Sequence, residues 1–266
     1  MKRLRLGAIA TICVLFGISL AADLAPASWY SRQYREFLDA PPSARFPLGT
    51  DGLGRDRFLR LLHATGVSMA LAASSALAAT LIAALVGGIA GYCGGWCDRL
   101  LARIAALIAS VPWFFLLLAA RALLPLNVSP LDSLLATYAI IALLGWAPPA
   151  MVVRAGARQL RQAEFVLQAR ACGLSGSRLL VRHIVPNLRP VLLAQFLTSI
   201  PLFILVEANL GMLGLSAAEP YPTWGNLLQE LRTVPGLRPE ALAPLGLVAA
   251  TVGCFRLIFP MEYSRP

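Results

Sequence analysis

The chain has 266 residues, 58% hydrophobic and 14% charged, with a mean hydropathy of +0.70 and a formal net charge of +10. So apolar a composition excludes an ordinary soluble domain and points to a polytopic membrane protein. The excess positive charge then reads as membrane topology and attraction to anionic headgroups, and no nucleic-acid partner is expected.

A bilayer span needs about 20 mostly apolar residues. Six runs approach that length, at 6–22, 66–91, 104–126, 134–153, 190–206 and 241–260. The expected fold is all-α, with about six transmembrane helices, because lipid admits only helices or closed barrels. The short alternating segments of a barrel are missing. Lys2, Arg3 and Arg5 before the first run place the N-terminus inside, and an even number of spans brings the C-terminus to the same side. The first run also has the makeup of a cleaved signal peptide, ending in Ala21-Ala22. Either way the remaining topology is the same.

The loop 23–65 carries six arginines against five acids and falls outside by alternation. Within it, Asp51, Arg55 and Asp56 read as an Asx-turn and helix start, with local ion pairs organising the loop. Contact with a partner chain is the functional alternative. Residues 66–91 carry no charge, and Gly91–Gly95 reads as a tight turn. Pro112 and the pair Pro148-Pro149 sit inside the third and fourth runs, where a missing N–H bends a helix. Such breaks either line a pathway or serve packing.

Segment 154–189 holds seven arginines against a single acid, Glu164, and is assigned to the cytoplasm. It runs as a helix-prone stretch, Gly173, a second helix-prone stretch, then His183-Ile184-Val185-Pro186-Asn187. Leu160, Ala163, Leu167 and Ala171 are expected on one helical face. This is a helical hairpin suited to docking. Glu207, closing the fifth run, is the candidate polar group near a pathway, with a salt bridge or cap as its other role. The stretch 207–240 is acid-rich and reads as external. Its Pro220–Asn226 turn is expected to place Trp224 at the membrane interface.

Several chemistries are missing. The only lysine is Lys2, so no phosphate-binding loop of the G-x-x-x-x-G-K-[ST] type exists. If ATP drives this protein, another chain hydrolyses it. The five cysteines are scattered, and Cys93 and Cys97 lack the usual metal or redox spacing. With only His63 and His183 besides, no metal site, catalytic constellation or cofactor is expected.

Four motifs in order carry a resemblance. They are Phe46–Asp56, Gly91–Asp98, the run from Glu164 through Ala169-Arg170-Ala171-Cys172-Gly173 to Arg182–Asn187, and Glu207–Leu215 followed by Pro222–Asn226. Together they resemble the second permease subunit of dipeptide/oligopeptide/nickel ABC importers. The resemblance implies a type I importer (MetI-like) permease fold in a bacterial inner membrane. Its parts would be 1–65, an N-terminal helix and external loop; 66–260, the permease domain; and 261–266, a short tail. It implies a heterodimer with a second permease, two ATPase subunits and an extracytoplasmic solute-binding protein. By resemblance Glu164, Ala169, Arg170, Gly173, Arg182, His183, Ile184, Pro186 and Asn187 belong to the element that couples to the ATPase. Leu167-Gln168 stands where the family usually has Glu-Ala. The implied solutes are peptides, nickel or a metal chelate. A self-sufficient channel or secondary carrier is the alternative, and it would predict internal repeats and intramembrane ionisable groups.

Overall fold

The computed structural model describes residues 2–23, 28–123, 129–215, 219, 221–232 and 239–258. The tail 261–266 and Pro220 lie outside the described residues. The architecture is all-α, and beyond an isolated Thr50–Asp56 bridge no β pairing occurs among the described residues. In chain order the helices are α1 (Lys2–Asp23), α2 (Ser28–Ser31), α3 (Arg57–Cys93), α4 (Gly95–Ser110), α5 (Trp113–Ala122), α6 (Pro130–Gly145) and α7 (Ala147–Arg161). After them come α8 (Glu164–Ala171), α9 (Gly176–Leu179), a π-turn (Leu180–Ile184), α10 (Val185–Asn187), α11 (Arg189–Met212), α12 (Trp224–Gln229) and α13 (Pro239–Ile258).

Among the described residues three helical stretches are long and apolar enough to cross a membrane: Arg57–Cys93, Pro130–Arg161 and Arg189–Met212. The expected span 104–126 is instead a bent pair, α4 and α5 meeting at 84°. Val111 is extended and Pro112 caps α5, so the proline sits at the corner rather than inside a helix. Pro148 and Pro149 lie in the first turn of α7, where no intrahelical partner is required of an N–H. They start a helix and do not bend one. The second span begins nine residues earlier than its apolar run, at Arg57, because Asp56 accepts from the amides of Phe58 (2.8 Å) and Leu59 (3.4 Å). Helix α6 opens with a reciprocal cap, Ser129 with Asp132, ahead of Pro130.

The chain divides into two compact units. One comprises Met1–Ala72, Pro125–Tyr138 and Pro201–Pro266; the other comprises Ala73–Leu124 and Ala139–Ile200. In the first, α1 and α12 each pack on α13. Helices α11 and α12 touch backbone to backbone, since a Cβ on Gly211 would collide with Gly225. In the second, α3 and α7 meet through Gly87 and Gly91, whose added Cβ atoms would strike the carbonyl oxygens of Ala150 and Arg154. Gly91 is therefore a helix-packing residue, not part of a turn. The turn is confined to Gly94 and Gly95. Small residues four apart let two helices approach closely where lipid provides no hydrophobic drive between them.

Gly88, by contrast, has nothing within 4 Å of a built Cβ. Gly88→Ala should stabilise the chain by up to about 1 kcal/mol through helix propensity. Gly91→Ala should destabilise it by about 1–3 kcal/mol through overpacking. Thermal unfolding of the purified chain in detergent reads both, and equal effects of the two changes would contradict the packing described.

Candidate functional site: a packed hairpin and an ion-paired loop

The hairpin of the second unit is built from three backbone events. Helix α7 stops at Arg161, Ala163 is extended, and α8 restarts at Glu164. This break separates Leu160 from Leu167, so the single helical face expected from the sequence does not form. Val166 is the buried residue of α8, while Leu167 is 49% exposed. At the other end of α8 the Leu174 amide donates to the Ala169 carbonyl (3.2 Å) and the Gly173 amide to that of Arg170 (3.0 Å). With Gly173 at φ 84°, this is a Schellman cap. A side chain with a Cβ is strained at such a φ, which accounts for the glycine.

Past the cap the chain re-enters helix at Gly176 and passes through the π-turn, where the Val185 amide reaches back to Leu180. Pro186 donates no backbone hydrogen bond, and one residue on Asn187 Nδ2 donates to the His183 carbonyl (2.6 Å). Ile184 is fully buried with Val153, Ala157, Val166, Leu179 and Leu188, and Tyr92, Ala169 and Leu174 pack around them. The hairpin is thus anchored on α7 by a buried core that the two share. Glu164, Arg170, Arg182 and Asn187 are exposed, while Ala169, His183 and Pro186 are half-buried. Beside it, Asp98 receives Arg154 at both carboxylate oxygens, the Nη2–Oδ2 contact at 2.7 Å.

The first unit contains the other predicted group. Asp51 accepts from the amides of Leu53 (3.0 Å) and Arg55 (2.8 Å) and from Arg55 Nε (2.7 Å). This is the expected Asx-turn. Three ion pairs were not legible in it. Arg55 (2.7 Å) and Arg60 (3.1 Å) both hold Glu219, and Arg57 holds Glu230 (3.1 Å). Burial alone would raise the Glu219 carboxyl, but Arg60 and Arg55 outweigh it and hold it below its ordinary value. Burial pushes Asp56 and Glu230 up, against opposing hydrogen bonds.

Below this loop, Trp224 is fully buried rather than placed at an interface. Its amide donates to Ser68 Oγ (3.0 Å) and its indole N–H to Thr65 Oγ1 (3.1 Å). Glu207 is also fully buried and accepts from the Gly225 amide (3.3 Å) in the first turn of α12. Helix α11 ends in a second Schellman cap, with Gly214 at φ 76° and the Leu215 amide on the Leu210 carbonyl (2.9 Å). Of the predicted pathway residues, Pro112 and Pro148 are exposed and Glu207 is enclosed.

Residues 65–259 match the family profile described as binding-protein-dependent transport system inner membrane component. The chain belongs to that family. Among similar proteins, the oligopeptide transport system permease protein OppC of Salmonella typhimurium is 33% identical over 94% of this chain and 83% of its own length. OppC of Escherichia coli is 32% identical over the same shares. OppC of Bacillus subtilis is 31% identical over 96% of this chain and 78% of its own. The permease thus places two glycines of its motifs, Gly173 and Gly214, at helix-ending caps, and its loop motif Asp51–Asp56 at an ion-paired turn.

Two outcomes follow for the loop. Asp51→Asn removes the second carboxylate beside the buried Arg55 and Arg60, which keep Glu219, and should cost about 1–3 kcal/mol in thermal unfolding. Glu219 carries a lowered value, so its contribution is full above its ordinary 4.5 and is lost as pH falls through the lowered one. The difference in unfolding midpoint between the permease and Glu219→Gln should be present at pH 7 and vanish under strong acid.

Proposed function

We propose that this permease forms half of the membrane pathway of an ATP-driven peptide importer. A solute-binding protein delivers peptide outside, a second permease completes the pathway, and two ATPase subunits bind inside. The chain itself performs no covalent chemistry. The observation carrying this reading is the hairpin 164–187: an arginine-bearing element packed on α7 through a shared buried core, between long apolar helices, in a member of a binding-protein-dependent family. A rigid element transmits displacement where a loose loop dissipates it, and here it continues through α10 directly into α11. Glu164 and Arg182 offer the polar surface for an ATPase cleft, with Gly173, Ile184 and Pro186 setting its shape. Asp51, Arg55 and Asp56 are assigned a structural role, holding the external loop that meets the binding protein. Peptide is the solute proposed because the relatives are oligopeptide permeases; a nickel or metal-chelate importer would use the same frame. Both termini are assigned to the cytoplasm.

Cys172, exposed beside Gly173, is a native chemical handle. With the other cysteines replaced, a short bifunctional reagent should join Cys172 to a co-expressed ATPase chain. Gly173→Val, strained by about 1–2 kcal/mol at this φ, should weaken that capture. Gly173→Asn should largely keep it. Solute movement by the chain alone in liposomes without ATP would overturn the reading in favour of a self-sufficient carrier.

A further inference from the structure

Between the start of α4 and the hairpin lies a cleft of about 420 Å³. Its wall includes Arg158, Arg161 and Arg170 on one side and Gly94, Gly95 and Asp98 on the other. The charge there is unbalanced. Asp98, the carboxylate in the wall, is taken at both oxygens by Arg154. Arg161 and Arg170 form no salt bridge among the described residues, and Arg158 is attracted to Asp98 without forming one. Arg161 lies over Gly94 and donates to the Cys93 carbonyl (3.3 Å), which fixes one guanidinium at the cleft.

The opposite wall is also suited to an anion. Helix α4 is sixteen residues long, and its cap residue Gly94 supplies no side-chain hydrogen bond to the first-turn amides. Gly94 and Gly95 line the cleft, so the first turn of α4 borders the same space as the arginines, with its own carboxylate, Asp98, already held by Arg154. Guanidinium groups match phosphate oxygens in pairs, which favours a phosphate over a carboxylate or a halide.

The surroundings indicate where that phosphate comes from. Trp96, next to Gly95, is 68% exposed, and Leu167 in the cleft wall and Leu100 one turn along α4 are exposed as well. An exposed tryptophan with leucines at the end of an apolar helix suits the membrane–water boundary. A soluble anion has no use for that apolar rim, whereas a phospholipid covers it with its glycerol and upper acyl chains. We propose that the cleft binds the headgroup phosphate of an anionic phospholipid from the inner leaflet. A lipid seated there bridges α4, the end of α7 and α8, and so ties the hairpin's position to the charge of the surrounding membrane. The cytoplasmic placement of the hairpin is taken from the function proposed above.

The test uses the delipidated full-length chain in neutral detergent, titrated with phosphatidylglycerol, with phosphatidylcholine or with inorganic phosphate, and read by native mass spectrometry. Phosphatidylglycerol should bind at least about tenfold more tightly than phosphatidylcholine, as expected for a site charged by three arginines. Arg158→Gln and Arg170→Gln should each weaken it about fivefold. Arg178→Gln, an exposed arginine outside the cleft, should leave it unchanged. Equal binding of the two lipids, equal losses from Arg178→Gln and the cleft variants, or displacement by millimolar inorganic phosphate would each overturn the proposal. Both cleft arginines tested are at least partly solvent-exposed, and unchanged thermal unfolding of the variants checks that their fold is intact. Lipid binding is read without ATP or transport, so it stands or falls separately from the crosslink to the ATPase.

Discussion

Close approach of one backbone to another is the constraint on which both units depend. Between helices in lipid, apolar side chains gain nothing by leaving the surrounding hydrocarbon, so contact must come from tight packing. In one unit Gly211 and Gly225 bring α11 and α12 together at their backbones. In the other, Gly87 and Gly91 seat α3 on Ala150, Arg154 and Ala157 of α7. With α7 fixed against α3, Val153 and Ala157 face the hairpin and become the floor of its core. The hairpin can be rigid because the helix beneath it is already placed.

Polar groups follow the same economy. Helix ends need partners for amides and carbonyls, and here local caps supply many of them. Asp56 serves α3, Ser129 with Asp132 serves α6, and Thr223 serves α12. Gly173 and Gly214 close α8 and α11 by the same cap geometry. Both belong to the motifs that carry the family resemblance, so those motifs encode helix endings as much as contact surfaces.

The apolar runs of the sequence marked the long helices, because span length and hydropathy are properties of contiguous residues. The glycine at the hairpin turn and the Asx-turn at Asp51 were legible for the same reason. What stayed hidden depended on residues far apart. Arg57 and Arg60 looked like loop charges, yet they lie on α3, paired with Glu230 and Glu219 more than 150 positions away. Trp224 has the composition of an interfacial anchor, but Thr65 and Ser68 satisfy its polar atoms and allow full burial. The broken face at Leu160–Leu167 went unseen because no glycine or proline marks the break at Gln162–Ala163. Pro112 announced a bend; the extended Val111 before it makes that bend a corner of 84°.

The π-turn over Leu180–Ile184 has a further consequence for how this chain tolerates change. A π-turn is an α-helix holding one residue more than its hydrogen bonds need. Removing one residue there would restore ordinary α-helical bonding and leave the segments on either side in nearly the same rotational phase, because the wider turn had absorbed the extra residue. Helix α11 would keep its length and its apolar faces, and α8 and the cap at Gly173 would keep their direction. In this chain the direction in which the hairpin faces is therefore buffered against a change of one residue at the π-turn, and homologues lacking that residue should present the hairpin at a similar angle.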